Sequence, residues 1–180
     1  MIERIASGDY VEQPWKNGGG LSHEIAAFVS EGTMLWRIAL ATIASDGPFS
    51  DFRGYDRTIL AIDGGEVTLH VEGGSVRLER GEPFPFGGEV PVTASLTGGP
   101  ARDLNVITLR AEFVHDVEIV TGTQRFALDE DEIAFVYAIE GSAGVDGTPC
   151  AAGDTIVVQD EESFSLITAG SAAVIRITEL

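Results

Sequence analysis

The segment Arg57-Thr58-Ile59-Leu60-Ala61-Ile62-Asp63-Gly64-Gly65-Glu66-Val67-Thr68-Leu69-His70-Val71 decides the fold. Two short runs, 57–62 and 66–71, are rich in aliphatic and β-branched residues, and an acid with two glycines parts them. That is hairpin or loop chemistry. Val67, Leu69 and Val71 point one way while Thr68 and His70 point the other, the period-two alternation of a strand. The segment also has an internal echo. Leu60-Ala61-Ile62-Asp63-Gly64 resembles Tyr137-Ala138-Ile139-Glu140-Gly141, and Glu79-Arg80-Gly81-Glu82 resembles Ala151-Ala152-Gly153-Asp154. The two offsets, 77 and 72 residues, differ by about one loop.

Outward from this segment the same rhythm continues. Strands are expected at 3–7, 22–28, 36–43, 75–79, 92–96 and 105–110, then at 113–120, 135–139, 155–158, 163–168 and 172–177. Gly73-Gly74, Gly87-Gly88 and Gly98-Gly99 separate several of them. No window of eleven or more residues carries a helical period. Regular short strands with glycine turns indicate an antiparallel sandwich or jelly roll. A strand ending in acid-Gly, a hairpin, then Gly-acid before another strand is the rhythm of a cupin barrel. Two copies make a bicupin, so the expected fold is all-β: two cupin-type jelly-roll β-barrels, residues 1–110 and 111–180. Chance likeness among hairpins would leave the all-β class intact.

Composition bounds the function. The 180 residues are 44% hydrophobic, which fits a folded globular chain. There is no transmembrane stretch, and Met1-Ile2-Glu3-Arg4-Ile5 lacks the basic and apolar regions of a signal peptide, so a cytoplasmic protein is expected. Cys150 is the sole cysteine and reads as a packing residue. A formal charge of −18 argues against nucleic acid and anionic membrane surfaces as partners. The charge is uneven: residues 111–180 hold 14 acids and two arginines, whereas residues 1–110 hold 15 acids and nine basic side chains. An acidic ligand therefore belongs in the first half. The second half's acidity reads as a solubilising surface.

Gln13-Pro14-Trp15-Lys16-Asn17-Gly18-Gly19-Gly20 is the other distinctive stretch, with the only lysine of the chain and one of its two tryptophans. Pro14 restrains the entry, and the glycines permit close backbone approach and converging N–H groups. A hairpin whose tryptophan plugs the core is the plain alternative. In 36–43, Trp36, Ile38 and Leu40 share one face while Arg37, Ala39 and Ala41 share the other, which leaves Arg37 as the anomaly of a central strand. Arg57 follows the loop Phe52-Arg53-Gly54-Tyr55-Asp56, where a guanidinium can grip a carboxylate through two parallel hydrogen bonds. Surface pairing with Asp51 or Asp56 is the alternative there. Phe49 and Phe52 supply apolar walls. We therefore expect Trp15, Asn17, Gly18 and Gly19 to lie across one pocket from Phe49, Ser50 and Arg57, with Arg57 on the ligand carboxylate.

Other chemistry is missing from the sequence. His23, His70 and His115 are isolated and form no His-x-His pair, so metal-free barrels without a cofactor are expected. No nucleophile elbow, phosphate loop or dinucleotide fingerprint occurs, and no catalytic residue is assigned.

Taken together, Pro14-Trp15-Lys16-Asn17-Gly18-Gly19-Gly20, Glu24-Ile25, Trp36-Arg37, Gly47-Pro48-Phe49-Ser50, Phe52, Gly54, Arg57, Phe86-Gly87-Gly88 and Asp103-Leu104-Asn105-Val106 resemble the HutD/Ves family of bicupins. The motifs run in order over residues 11–110. One departure is Leu21-Ser22-His23, where the family pattern carries threonines and an arginine before Glu24. Whether His23 replaces that arginine stays open. The resemblance implies a metal-free bicupin associated with bacterial histidine utilisation. It also implies that the protein binds a small carboxylate, such as formate or a formylated pathway intermediate. It supplies no settled catalytic activity, and some relatives are linked to stress responses.

The leading expectation is a regulatory protein that binds a small acidic metabolite. The alternative is a metal-independent cupin enzyme, an isomerase or hydrolase, acting on the same ligand class. A third reading is an interaction module whose acidic half docks a basic partner. A homodimer is left open.

Overall fold

Of the four glycine pairs that read as turns in the sequence, Gly64-Gly65 and Gly98-Gly99 lie inside continuous strands, whereas Gly73-Gly74 closes a hairpin and Gly87-Gly88 stands at a strand end. The computed structural model describes residues 1–15 and 20–180; Lys16, Asn17, Gly18 and Gly19 lie outside the described residues. The chain runs through β1 (Ile2–Ile5), a 3-10 turn (Ser7–Asp9), β2 (Val11–Pro14), β3 (Gly20–Ser30), β4 (Thr33–Ile43), β5 (Gly47–Pro48), β6 (Tyr55–Val71), β7 (Gly74–Arg77) and β8 (Phe84–Gly87). It continues through β9 (Thr93–Leu109), β10 (Phe113–Ala127), β11 (Glu132–Glu140), β12 (Ser142–Val145), β13 (Thr148–Ala151), β14 (Thr155–Val158) and β15 (Ser163–Glu179). Among the described residues no helix is long and apolar enough to cross a membrane.

The segments expected separately at 57–62 and 66–71 are one strand, β6. Those at 92–96 and 105–110 merge into β9, and those at 163–168 and 172–177 into β15. The reason lies at the glycines. β6 and β9 pair antiparallel across the Asp63-Gly64-Gly65 segment, with register shifts between Ala61 and Asp63 and between Gly64 and Glu66. Gly64 sits at φ +88, and a Cβ there would strike the Pro100 carbonyl, while one on Gly65 would strike the Gly99 carbonyl. The paired strands thus bend together around a corner without ending, and one strand serves both walls of the barrel. The second half repeats the device. Gly141 has φ +71 with the Ala169 carbonyl 2.6 Å from where its Cβ would stand, and Gly170 lies against the Glu140 carbonyl. The acid-Gly echo in the sequence is therefore a repeated corner.

Two compact units result: Val11–Glu112, and Met1–Tyr10 together with Phe113–Leu180. The expected division at 110/111 thus differs at the chain start. β1 pairs antiparallel with β14, Ile2 opposite Val158 and Ile5 opposite Thr155. The Tyr10 hydroxyl lies 2.8 Å from both the Gly153 carbonyl and Thr155 Oγ1. Asp154 accepts from the Ser7 N–H at 2.8 Å and from Arg4 at 3.1 Å. Nothing local to residues 1–10 announces a partner some 150 positions away.

The unit that contains β10–β15 has an apolar interior. Val136, Ile156, Leu166 and Val174 are fully buried around the stacked rings of Phe126 and Phe164, 5.0 Å apart. Cys150 packs in this core, and burial pushes its thiol up to about 11, so it carries no thiolate at neutral pH. In the other unit the strand order is β2-β3-β4-β9-β6-β7, with β5 on β9 and β8 on β6. Ile43, Ile59, Val67, Leu69, Ala94 and Ala101 fill its core. Beyond them, on the same strands, the inward face turns polar.

Candidate ligand-binding site

Register puts the polar positions side by side. Across β4, β9 and β6, Ala41 faces Asp103 and Asp103 faces Ala61, Ala39 faces Asn105 and Asn105 faces Ile59, and Arg37 faces Ile107 and Ile107 faces Arg57. On β3, Ser22 stands opposite Ala41 and Glu24 opposite Ala39. Period-two alternation therefore gathers Arg37, Arg57, Asp103, Asn105 and Ser22 on one face. The alanines leave room above Asp103 and Asn105, and a cavity of about 460 Å³ opens there. Phe49, Ser50 and Phe52 line it from the segment before β6.

Arg37 ceases to be an anomaly. Its Nε donates to Glu24 at 2.8 Å and its Nη2 to the Gln13 side-chain oxygen at 3.2 Å, which ties β4 to β3 and β2 at the cavity wall.

Arg57 is 5% exposed. Its guanidinium carbon lies 5.0 Å from the ring centres of Phe52 and Phe86 and 5.5 Å from that of Phe49, a cage of three aromatic faces. Nη1 donates to the Ser50 carbonyl at 3.3 Å, and Nε has no hydrogen-bond partner among the described residues. Burial pulls its pKa down to about 10, with Asp103 opposing the shift, so the group keeps its charge at neutral pH. The surface pairings do not form, because Asp51 meets Arg53 and Asp56 meets Arg110. Each wall has a local cause. The Phe49 N–H donates to the Val92 carbonyl, and the Phe52 N–H donates to the Gly88 carbonyl. A Cβ on Gly88 would collide with the Phe52 carbonyl, and Phe86 stands directly opposite Arg57 on β8.

Asp103 is 2% exposed; its Oδ1 and the buried Oδ1 of Asn105 have no hydrogen-bond partner among the described residues. Burial pushes the Asp103 carboxyl up to about 7, while the nearby Arg57 charge holds it down. Trp15 donates from Nε1 to Ser22 Oγ at 2.8 Å, and its N–H donates to the Gly20 carbonyl at 3.0 Å. A Cβ on Gly20 would stand 2.9 Å from the indole, so the glycine lets the ring lie across β3.

Of the residues expected in the site, Trp15, Phe49, Ser50 and Arg57 line one cavity. Ser50 meets Arg57 with its carbonyl, not its hydroxyl. Asn17, Gly18 and Gly19 lie outside the described residues. Sequence reasoning left Asp103, Asn105, Ser22 and Phe86 out of the site. The available signal was Asp103-x-Asn105, an alternating polar pair inside an otherwise aliphatic strand.

A family model described as HutD matches residues 7–175. The chain belongs to the HutD family. Its relatives include a Pseudomonas putida protein described as an uncharacterised 21.2 kDa protein in the hutC 3′ region, 36% identical over 69% of this chain and 67% of the relative. Another is protein Ves of Cronobacter sakazakii, 37% identical over 71% of each chain. The structure of HutD from Pseudomonas fluorescens SBW25, obtained in a formate condition, superposes with a TM-score of 0.92 at 31% identity and covers both chains fully.

The second barrel of this HutD-family bicupin provides an internal comparison. By strand register, the pairs Arg57–Ile107, Ile59–Asn105 and Ala61–Asp103 correspond to Ala134–Arg176, Val136–Val174 and Ala138–Ala172. Where the first barrel carries the buried Arg57 and Asp103 and the half-buried Asn105, the second therefore buries Ala134, Ala172 and Val174. The same corner-and-strand framework closes without the polar trio, so folding does not require it. Among the described residues no group of three or more His, Cys, Asp or Glu is placed to hold a metal ion. His70 is exposed between the Ser75 and Ser95 hydroxyls, and His23 faces Glu12 at 3.5 Å.

Proposed function

We propose that this HutD-family chain binds a small carboxylate in its first-barrel cavity and acts as a regulatory binding protein in histidine utilisation. The observation that carries this reading is Arg57. It is a buried, charged guanidinium in an aromatic cage, and its Nε lacks a partner among the described residues. Leaving such a donor unpaired is costly, and a carboxylate matches its fork with two charge-assisted hydrogen bonds. The formate condition of the Pseudomonas fluorescens HutD structure supports the ligand class, and the hutC neighbourhood of the Pseudomonas putida relative supports the pathway. Calorimetry with formate, acetate and larger monocarboxylates tests it. Arg57→Ala weakens the best acid at least about tenfold, and Arg57→Lys restores only part because a point charge cannot form the fork. Arg125→Ala, exposed on β10, leaves binding unchanged. Equal affinity for wild type and a folded Arg57→Ala protein overturns the reading.

One observation favours a second reading, a metal-independent enzyme acting on the same acid. The Asp103 carboxyl lines the cavity with a pKa of about 7, the range suited to a general acid or base. NMR of candidate acids incubated with the protein decides this, and acids recovered unchanged after prolonged incubation remove it.

A further inference from the structure

We infer that the acid this cavity takes also carries a nitrogen-borne hydrogen-bond donor, and that Asp103 is the residue that selects for it. The inference rests on the carboxylate reading of Arg57 and adds the other end of the ligand. Among the described residues, three buried polar atoms of the cavity have no partner, and they are of two kinds: Arg57 Nε is a donor, whereas Asp103 Oδ1 and Asn105 Oδ1 are acceptors. A plain carboxylate satisfies only the first. An acceptor sealed from water and left unpaired destabilises the complex, so the complementary ligand brings an N–H to that side. Asn105 can offer either end of its amide after a flip, which makes Asp103 the discriminating group.

Dimensions agree with a ligand of two functions. Asp103 pairs with Ala61 while Arg57 pairs four residues away with Ile107, roughly 13 Å along the strands at the backbone. The arginine side chain spans part of that distance. The cavity volume of about 460 Å³ falls in the range of roughly 300–1,000 Å³ occupied by small-molecule ligands, well beyond a one-carbon acid. Charge agrees too. Arg57 on β6 and Asp103 on β9 feel each other's charge, and Arg37, the third charged residue lining the cavity among the described residues, is paired with Glu24. A ligand with an acid at one end and an N–H at the other therefore meets a cation and an acceptor in turn. The second barrel, with Ala134, Ala172 and Val174 at these positions, shows that neither group is a demand of the fold.

The test uses two probes of one shape. Succinamate and levulinate share a carboxylate, a two-carbon spacer and a carbonyl; succinamate ends in NH2 where levulinate ends in CH3. Calorimetry at pH 8 on the full chain is expected to show succinamate binding at least about tenfold more tightly. In Asp103→Leu the preference collapses to within about twofold while levulinate still binds, and that retained binding reports an intact fold. Asp103→Asn keeps part of the preference, since its carbonyl still accepts. Arg57→Leu loses both acids. Equal affinities in wild type, or an undiminished preference in Asp103→Leu, overturn the inference. If both acids bind without preference and Arg57→Leu abolishes both, only this inference falls. If wild type binds neither acid, the carboxylate reading falls with it.

Discussion

Replacing Asp103 by Asn should stabilise the protein, and by an amount that grows with pH. Burial raises the Asp103 carboxyl from 3.8 to about 7, partly offset by Arg57. The sign follows from linkage. Below about pH 4 the side chain is protonated in both folded and unfolded chains and contributes nothing. Between about pH 4 and 7 the unfolded chain has released the proton and the folded one has not, so each pH unit destabilises the fold by roughly 1.4 kcal/mol. Above about pH 7 both states are ionised and the loss levels off on the order of 4 kcal/mol. The amide of the Asp103→Asn protein has no proton to lose. The stability difference between mutant and wild type should therefore climb from about 1 kcal/mol at about pH 4.5 to about 4 kcal/mol at about pH 8. Other titrations occur in both proteins and cancel in the difference. Urea melts from about pH 4.5 to 8.5 measure it, and with slopes of about 1–3 kcal/mol per molar the midpoints should separate by at least about 1 M at the alkaline end. Parallel pH profiles would falsify the premise, because they mean that Asp103 titrates normally and is hydrated or paired when folded.

Three further outcomes follow from the same geometry. Affinity for succinamate should rise up to about ninefold from pH 6 to 8, as the ionised fraction of Asp103 goes from roughly one tenth to nine tenths, while levulinate does not gain; calorimetry in matched buffers checks both. Gly170→Ala should lower the melting temperature, because its Cβ strikes the Glu140 carbonyl at a strand corner and relief costs about 1–3 kcal/mol, read by thermal circular dichroism. Ligand binding should change tryptophan emission through Trp15, which lines the cavity, and Trp15→Phe should remove that change while buried Trp36 remains as background.

Many strand positions and faces were legible because alternation is local, but the short strands β2, β5, β8, β12 and β13 were not expected. Trp36, Ile38 and Leu40 against Arg37, Ala39 and Ala41 can be read without any partner, and so could Arg57 beside Phe49 and Phe52. The long strands were not legible. Gly64-Gly65 ordinarily marks a turn, and only the approach of Gly99 and Pro100 from β9 shows that it marks a corner. Asp103 and Asn105 were missed for the same reason. A polar pair on a strand reads as a solvent face until Ala39 and Ala41 of β4 are seen to leave a pocket above it. The pairing of β1 with β14 is likewise visible only in space.

That last pairing bears on how the chain is made. At roughly 5–20 residues per second, the ribosome needs on the order of 8–30 s to travel from Ile2 to Val158, its partner. The middle unit, Val11–Glu112, has all its own strands well before then and is free to fold on the nascent chain. The opening strand meanwhile waits as an unpaired edge, exposed to chaperones, proteases and neighbouring chains. Slow elongation anywhere between Ile2 and Val158 lengthens that wait, and slow elongation beyond β14 does not.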